Sequence, residues 1–140
     1  MVAWITPVTL DEYYYFIWGQ YLSLSYFDHP PMVGWIMMIS QPLKFLGEGA
    51  IRWPFVAFSH LTLLIWLHYL KPFVPSKKLF WFLAIALLNP LWGLGAIVAT
   101  PDIPLVFFWS LATFFSMKVL ERGDFTNYLG LGASLGLGFL

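Results

Sequence analysis

Apolar residues run in long stretches along the C-terminal two-thirds of the chain, and short polar segments separate them. A helix needs roughly 20 apolar residues to cross about 30 Å of hydrocarbon. Three stretches approach that length, at residues 51–70, 79–99 and 103–120. A fourth covers residues 127–140 and is too short to cross. The pattern predicts membrane-spanning helices over the first three ranges and a truncated span over the fourth.

Proline and glycine mark special points inside these stretches. Asn89-Pro90 predicts a kink in the second stretch, which is tolerated only where neighbouring helices cover the freed carbonyl groups. In the fourth stretch, Gly132 and Gly136 form a GxxxG pattern that permits close helix contact.

The first 50 residues have a different pattern, with many aromatic side chains and scattered polar ones. Residues 11–27 are dense in tyrosine and tryptophan, and their polar residues recur at helical spacing. Such a segment is typical of a helix lying in the membrane interface. After Pro30-Pro31, residues 32–43 are apolar but too short to span. We therefore predict an interfacial helix over residues 11–27 and a second interfacial or re-entrant helix over residues 32–43.

The basic residues predict which side of the membrane each connection faces, because cytoplasmic loops are enriched in lysine and arginine. Residues 71–78 and 118–122 hold five of the seven basic residues, and the opposite side holds only two, Lys44 and Arg52. Residues 71–78 and 118–126 are therefore predicted to be cytoplasmic. Residues 11–50 and the turn at residues 100–102 are then predicted to share the outer face.

Composition agrees with a membrane protein and excludes several other classes. Hydrophobic residues make up 60% of the chain and charged residues 10%, whereas a soluble domain carries about 25% charged residues. The formal net charge is zero, so there is no electrostatic basis for binding nucleic acid. Cysteine is absent, which excludes disulfides and thiolate metal sites. The expected fold class is an all-α, polytopic helical bundle.

Acidic residues and a histidine cluster on the predicted outer face, at Asp11-Glu12, Asp28-His29 and Asp102. A carboxylate near hydrocarbon is costly, about 2.5–3.5 kcal/mol at the centre of a spanning helix. Converging carboxylates can take a proton from an attacking hydroxyl or hold a cation beside a phosphate. A histidine can donate a proton to a phosphate oxygen near neutral pH.

Each of these groups also has a purely structural interpretation. Asp11 and Glu12 could complement the start of a helix, Asp28 could belong to a turn, and Asp102 could cap a helix after a tight hairpin. No HExxH, GxGxxG, Walker or zinc-ligand spacing is present. Taken one by one, the residues leave the choice between chemistry and structure open.

Three motifs in chain order carry a family resemblance: DEYYY at residues 11–15, YFDHPPMV at residues 26–33 and ATPDIP at residues 99–104. Together they closely resemble the bacterial dolichyl-phosphate-mannose-type mannosyltransferases, which belong to the GT-C superfamily of membrane glycosyltransferases. The resemblance runs through essentially all 140 residues with family-like spacing.

The resemblance implies a helical membrane bundle whose first outer loop carries two juxtamembrane helices. It implies transfer of a sugar from a polyprenyl phosphate to a hydroxyl of a lipid, glycan or protein acceptor, usually with inversion. The protein would cross the bacterial cytoplasmic membrane several times, in contact with membrane lipids, with its active face periplasmic or extracellular.

The resemblance also implies roles for individual residues. Asp11 would be the general base or the carboxylate that positions the acceptor, Glu12 would support it, and Asp102 would be the second acid of the site. Asp28 and His29 would bind substrate, with His29 near the lipid phosphate. No cofactor is required with certainty and no metal-ligand set is assigned, although a divalent cation beside the phosphate is allowed.

Two departures from the family pattern bear on the function. Lipid A aminoarabinose transferases have an arginine and a lysine where this chain has Tyr14 and His29, which disfavours aminoarabinose transfer. Full members run to several hundred residues, with a first span before the DE motif. We therefore expect this chain to be an N-terminal portion that is inactive alone, with residues 1–6 as the end of that first span. The alternatives are a non-catalytic lipid-binding or assembly protein, or an inactive remnant of the family. A transporter segment is disfavoured, because the acids cluster on the outer face and transport sites lie near the midplane.

Overall fold

The computed structural model describes residues 2–93 and 95–140, and every regular element among them is helical. The α-helices are α1 (Val2–Ile5), α2 (Leu10–Trp18), α3 (Met32–Ser40), α4 (Trp53–Leu70), α5 (Ser76–Leu88), α6 (Pro90–Gly93), α7 (Asp102–Glu121) and α8 (Phe125–Gly138). Three 3₁₀ segments cover Gln41–Leu46, Glu48–Arg52 and Gly95–Ile97. The predicted all-α class is confirmed.

Helix α2 begins where the sequence predicted and ends much earlier. The hydroxyl of Thr9 accepts from the backbone N–H of Glu12 at 3.3 Å, and the Glu12 carboxylate accepts from the N–H of Thr9 at 2.9 Å. This reciprocal pair is a capping box, which satisfies N–H groups that the first turn leaves free. The helix stops at Trp18, and at the next residue, Gly19, the backbone of α3 passes so close that a side chain would not fit.

The segment after α2 folds back over the end of that helix. The ring of Tyr26 stacks on Trp18 with centroids 4.2 Å apart and an interplanar angle of 4°. Its hydroxyl lies 3.0 Å from the carbonyl oxygen of Trp18 and 3.1 Å from that of Tyr21. The aromatic residues predicted to extend α2 to residue 27 instead hold a non-helical turn against it.

Two helical segments are long and apolar enough to cross a membrane by length and composition, Glu48–Leu70 and Asp102–Glu121. They pack together through Phe58 and Phe107, whose rings meet edge to face at 4.8 Å. The indole N–H of Trp66 also donates to the hydroxyl of Ser110 at 3.0 Å. These two segments coincide with the first and third predicted spans.

The second predicted span, residues 79–99, is divided into separate pieces. Helix α5 ends at Leu88, and Asn89 adopts an extended conformation with ψ 123°. A residue before proline avoids the helical region because the proline ring clashes with it. The break predicted as a kink at Asn89-Pro90 is therefore a full interruption, followed by the short α6 and a 3₁₀ turn. Membrane crossing by this range stays a prediction.

Helix α8 packs antiparallel to α7, and its glycines do not all serve that contact. A Cβ atom at Gly130 would lie 2.5 Å from the ring of Phe115, so glycine is what lets the two helices approach here. Cβ atoms at Gly132 and Gly136 would have no atom of another described element within 4 Å. The predicted GxxxG face is thus open among the described residues.

The main core lies at one end of the bundle and joins α2 and α3 to the beginnings of α4 and α7. Its buried side chains are Tyr15, Phe16, Trp18, Val33, Ile36, Met37, Ile51, Phe55, Ala99 and Ile103. This is the end that carries all three motifs, so the packing that stabilises the fold also holds them together.

Candidate active site

A fully buried ion pair lies beneath the motifs. Glu12 and Arg52 are each 0% exposed, and the guanidinium grips the carboxylate with two bonds of 2.6 Å, from Nε to Oε1 and from Nη2 to Oε2. The remaining guanidinium donors bind the carbonyl oxygens of Ala3, Thr6 and Pro7 at 2.8–2.9 Å. Such two-pronged, charge-assisted pairing fixes geometry as well as sign.

The carboxylate of Glu12 also reaches the loop that precedes α7. Its Oε1 accepts from the backbone N–H of Ala99 at 2.9 Å, in addition to the bonds from Thr9 and Arg52. Burial raises the pKa of Glu12, but the bonds from Arg52, Ala99 and Thr9 outweigh it and hold the pKa below its ordinary value. The carboxylate is therefore ionised and fully engaged.

The supporting role that the resemblance implies for Glu12 stays a prediction. Its side chain points into the core and does not line the neighbouring cavity. Its carboxylate connects the N-terminal end of α2 with Arg52, just before α4, and with the loop before α7.

A cavity of about 460 Å³ opens beside this ion pair, between α2, the turn before α3, the start of α7 and the end of α8. Asp11, His29 and Asp102 all line it. Asp11 and Asp102 are 91 positions apart in the sequence (102 − 11), and the packing of the core brings them to the same cavity. Three of the five candidate residues therefore converge on one cavity.

Asp11 and Asp102 each lie in the first turn of a helix, and both are exposed. Neither provides the cap: Thr9 caps α2, and Pro101 precedes α7 without a side-chain cap bond. The capping interpretation thus applies to Glu12 through its box with Thr9, and not to Asp11 or Asp102.

Asp28 stands next to the cavity and close to His29. Its Oδ2 lies 4.0 Å from Nε2 of His29, with the two side chains 44% and 36% exposed, respectively. The structure therefore places Asp28 where it can influence His29 electrostatically, while His29 itself forms the wall of the cavity.

Tyr15 is a cavity residue that the sequence reasoning did not single out. Its hydroxyl lies 3.3 Å from Nε2 of His29. Burial raises the pKa of Tyr15, and the charges of Asp11, Asp28 and Asp102 raise it further, so the hydroxyl stays protonated. The available signal was spacing, because residues four apart on a helix share a face and Tyr15 follows Asp11 by four.

The cavity is rich in acid and poor in base. Among the described residues that line it, His29 is the one basic side chain. Arg52 does not line the cavity and is buried in its ion pair with Glu12. Nowhere in the described part of the chain do three His, Asp or Glu side chains group closely enough to hold a metal ion. The arrangement offers carboxylates for proton transfer and one imidazole for an anionic group.

Comparison with known proteins agrees with the family resemblance. The dolichyl-phosphate-mannose-protein mannosyltransferase family matches residues 28–140, a range that includes Asp28, His29 and Asp102. A lipid A galacturonosyltransferase of Rhizobium johnstonii is 28% identical over 140 residues, covering 96% of this chain and 29% of the relative. The chain thus spans less than a third of the curated relative's length. No solved structure gives a significant match.

Proposed function

Because the chain belongs to the dolichyl-phosphate-mannose-protein mannosyltransferase family, we propose that the full-length protein transfers a sugar from a polyprenyl-phosphate donor to a hydroxyl acceptor. The observation that carries this proposal is the convergence of Asp11, His29 and Asp102 on one cavity. Proton transfer and phosphate binding both need groups of these types, and each is supplied from a different element.

Asp11 is the proposed general base. The acceptor oxygen attacks the anomeric carbon, its proton passes to the Asp11 carboxylate, and the bond between that carbon and the phosphate oxygen breaks. The leaving group is the polyprenyl phosphate, which takes the bonding electron pair. A positioned carboxylate typically contributes about 10²–10⁴-fold in rate to such a step. Attack opposite the leaving phosphate inverts the anomeric centre.

His29 is the proposed contact for the donor phosphate, and Asp102 is the second acid, placed to bind sugar or acceptor hydroxyls. Asp28 lies beside His29, with its Oδ2 4.0 Å from Nε2 of the imidazole. A divalent cation would neutralise phosphate charge here. Because the described residues group no three His, Asp or Glu side chains, phosphate oxygens and water would complete its ligands.

We further propose that this reaction takes place on the outer face of the bacterial cytoplasmic membrane. The distribution of lysine and arginine puts the motif-bearing end on that side. A lipid acceptor is our first choice over a glycan or a protein, since the relative is named for its action on lipid A.

The test is transfer by the full-length protein, with Asp11→Asn compared with wild type. Radiolabelled polyprenyl-phosphate sugars are supplied in membranes, and label in the acceptor fraction is measured. Asparagine keeps the shape of aspartate and removes its basicity, so we expect normal protein levels and at least about a 100-fold loss of transfer.

The control is Glu121→Gln, the same chemical change in an exposed pair with Lys118 at 2.7 Å, far along α7 from the cavity. It should leave transfer unchanged. Near-normal turnover in Asp11→Asn would remove the catalytic role assigned to that residue. Absence of any transfer by wild type with every polyprenyl-phosphate sugar would favour a non-catalytic membrane protein.

A further inference from the structure

Tyr15 and His29 contact each other inside the cavity. The proposed chemistry gives a role to His29 and none to this contact. The phenol oxygen lies 3.3 Å from Nε2 of the imidazole, and the two rings meet edge to face with centroids 5.7 Å apart at 75°. The two residues are 14 positions apart and come from α2 and the turn before α3. Their contact is therefore a product of the tertiary fold.

Tyr15 is held far more firmly than His29. Its side chain is 7% exposed, and its ring packs against Trp18 with centroids 5.2 Å apart. The side chain of His29 is 36% exposed at the cavity wall. A rigid, buried phenol can fix the orientation of a more exposed imidazole next to it. The more exposed imidazole does not fix the orientation of the phenol.

The direction of the hydrogen bond depends on the tautomer of His29, because a protonated hydroxyl can donate or accept. Asp11, Asp28 and Asp102 all act on Tyr15 and oppose ionisation of its hydroxyl, so the phenol has a proton to donate. When the hydroxyl donates to the lone pair of a neutral imidazole, the nitrogen that accepts carries no proton. The proton of neutral His29 then resides on Nδ1, since the bond at one ring nitrogen determines the state of the other.

We propose that Tyr15 is a positioning residue for sugar transfer, which holds neutral His29 in the Nδ1–H tautomer and so presents Nδ1–H to the donor phosphate. This inference rests on the proposed function, because it names the atom that meets the polyprenyl-phosphate donor. Tyr15 itself touches His29 and not the reacting atoms. The device resembles metal-site chemistry in principle, where an outer partner sets the tautomer of a histidine.

The first test is a double-mutant cycle in the full-length protein with Tyr15→Phe, His29→Ala and the combination. Phenylalanine keeps the buried ring and deletes only the hydroxyl, so packing is preserved. We expect Tyr15→Phe to lower kcat/KM for the donor about tenfold, the size of one lost hydrogen bond. The double variant should be no worse than His29→Ala alone, because Tyr15 acts through His29. Multiplicative effects of the two changes would overturn the proposal.

Tyr13→Phe is the matched control. It removes a hydroxyl from the same helix. The side chain of Tyr13 lies beside Glu48, and neither residue lines the cavity. This variant should leave kcat/KM for the donor unchanged, and the acceptor KM should not change in either tyrosine variant. A loss as large as that of Tyr15→Phe would point to a general effect on α2.

The second test does not depend on activity. Histidine labelled with ¹⁵N is incorporated into the full-length protein, and solid-state NMR reads the tautomer of His29, assigned by its loss in His29→Ala. Wild type should show a protonated Nδ1 and an unprotonated Nε2, and Tyr15→Phe should show a mixture. An unchanged tautomer in Tyr15→Phe overturns the inference. If transfer fails while the tautomer changes as expected, the proposed function is at fault and the pairing stands.

Discussion

The residue with the largest structural consequence is Arg52, a charged side chain with no exposed surface. Its guanidinium group donates hydrogen bonds to Glu12 and to three backbone carbonyl groups of the N-terminal segment. Burying an ion pair is expensive, and the cost is offset only when geometry is good and every donor is satisfied. Both conditions hold here, so the pair is committed to organising the fold around the cavity.

Arg52→Met should therefore destabilise the full-length protein strongly, by about 3–5 kcal/mol, because it leaves the Glu12 carboxylate buried and unpaired. The measurement is the midpoint of thermal unfolding in detergent, with acceptor transfer assayed in parallel. The matched control is Lys118→Met, which breaks a pair whose side chains are 38% and 46% exposed. Comparable midpoints for the two variants would contradict the organising role of Arg52.

The lowered pKa of Glu12 predicts how the stability of the protein responds to acid. Its pKa in the folded protein lies below the ordinary value of 4.5. The stabilisation is then complete above about pH 4.5 and is lost as the pH falls through the lowered folded pKa. Unfolding midpoints measured between about pH 3 and 7 should fall at the acid end in wild type. In Glu12→Gln, which is less stable throughout, that part of the acid dependence should be missing.

At the scale of elements, close approach of backbones decides where the site residues stand. Helix α2 carries Asp11 and Tyr15, and it can pack on α3 only because Gly19 lacks a side chain. A Cβ atom there would lie 2.7 Å from the backbone of Met37 and Met38. Backbone atoms cannot move aside as a flexible side chain can, so this contact sets the position of α2.

We accordingly expect Gly19→Ala to cost about 1–3 kcal/mol of stability through overpacking and to reduce transfer by displacing α2. Gly132→Ala is the contrasting change, since no described atom of another element lies within 4 Å of its Cβ position. Alanine should be neutral or stabilise α8 there by up to about 1 kcal/mol through helix propensity. Unfolding midpoints of the two variants decide the matter, and equal effects would refute the packing argument.

At the scale of the whole molecule, the three motifs lie at one end of the bundle, and the lysine-rich connection between α4 and α5 lies at the far end of α4. Helix α8 returns along α7 and brings Leu137 and Gly138 back to the cavity beside Asp102. This arrangement agrees with the predicted sidedness, in which the motifs share the outer face.

Single cysteines should report that sidedness directly. Phe45 is 82% exposed near the motif end, and Ser76 is exposed at the other end. In intact cells a membrane-impermeant thiol reagent should label a cysteine at Phe45 and not one at Ser76. Both should label once the membrane is opened, and these 140 residues contain no cysteine that would interfere. Labelling of both positions from one side would overturn the topology and the outer-face reaction with it.

The sequence by itself determined the all-α class, the two long apolar helices, the family and the set of motifs. Hydropathy and turn chemistry are local properties, so a single stretch of chain is enough to display them. Even the break at Asn89-Pro90 was visible, although its severity was not. The family resemblance assigned Asp11, His29 and Asp102 to one site, because it rests on several stretches of the chain taken together.

Only the tertiary structure decided which acids face the cavity and which are buried. Asp11 and Glu12 are adjacent in sequence and equally acidic, but one lines the cavity and the other is held by Arg52 and Ala99, 40 and 87 residues away. Likewise, the role proposed for Tyr15 depends on its contact with His29. The aromatic pattern predicted helix up to residue 27, whereas α2 ends at Trp18 and the chain then turns back to bring His29 next to Tyr15. A charged group's role depends on the partners and the dielectric that packing places around it, and those come from residues remote in the chain.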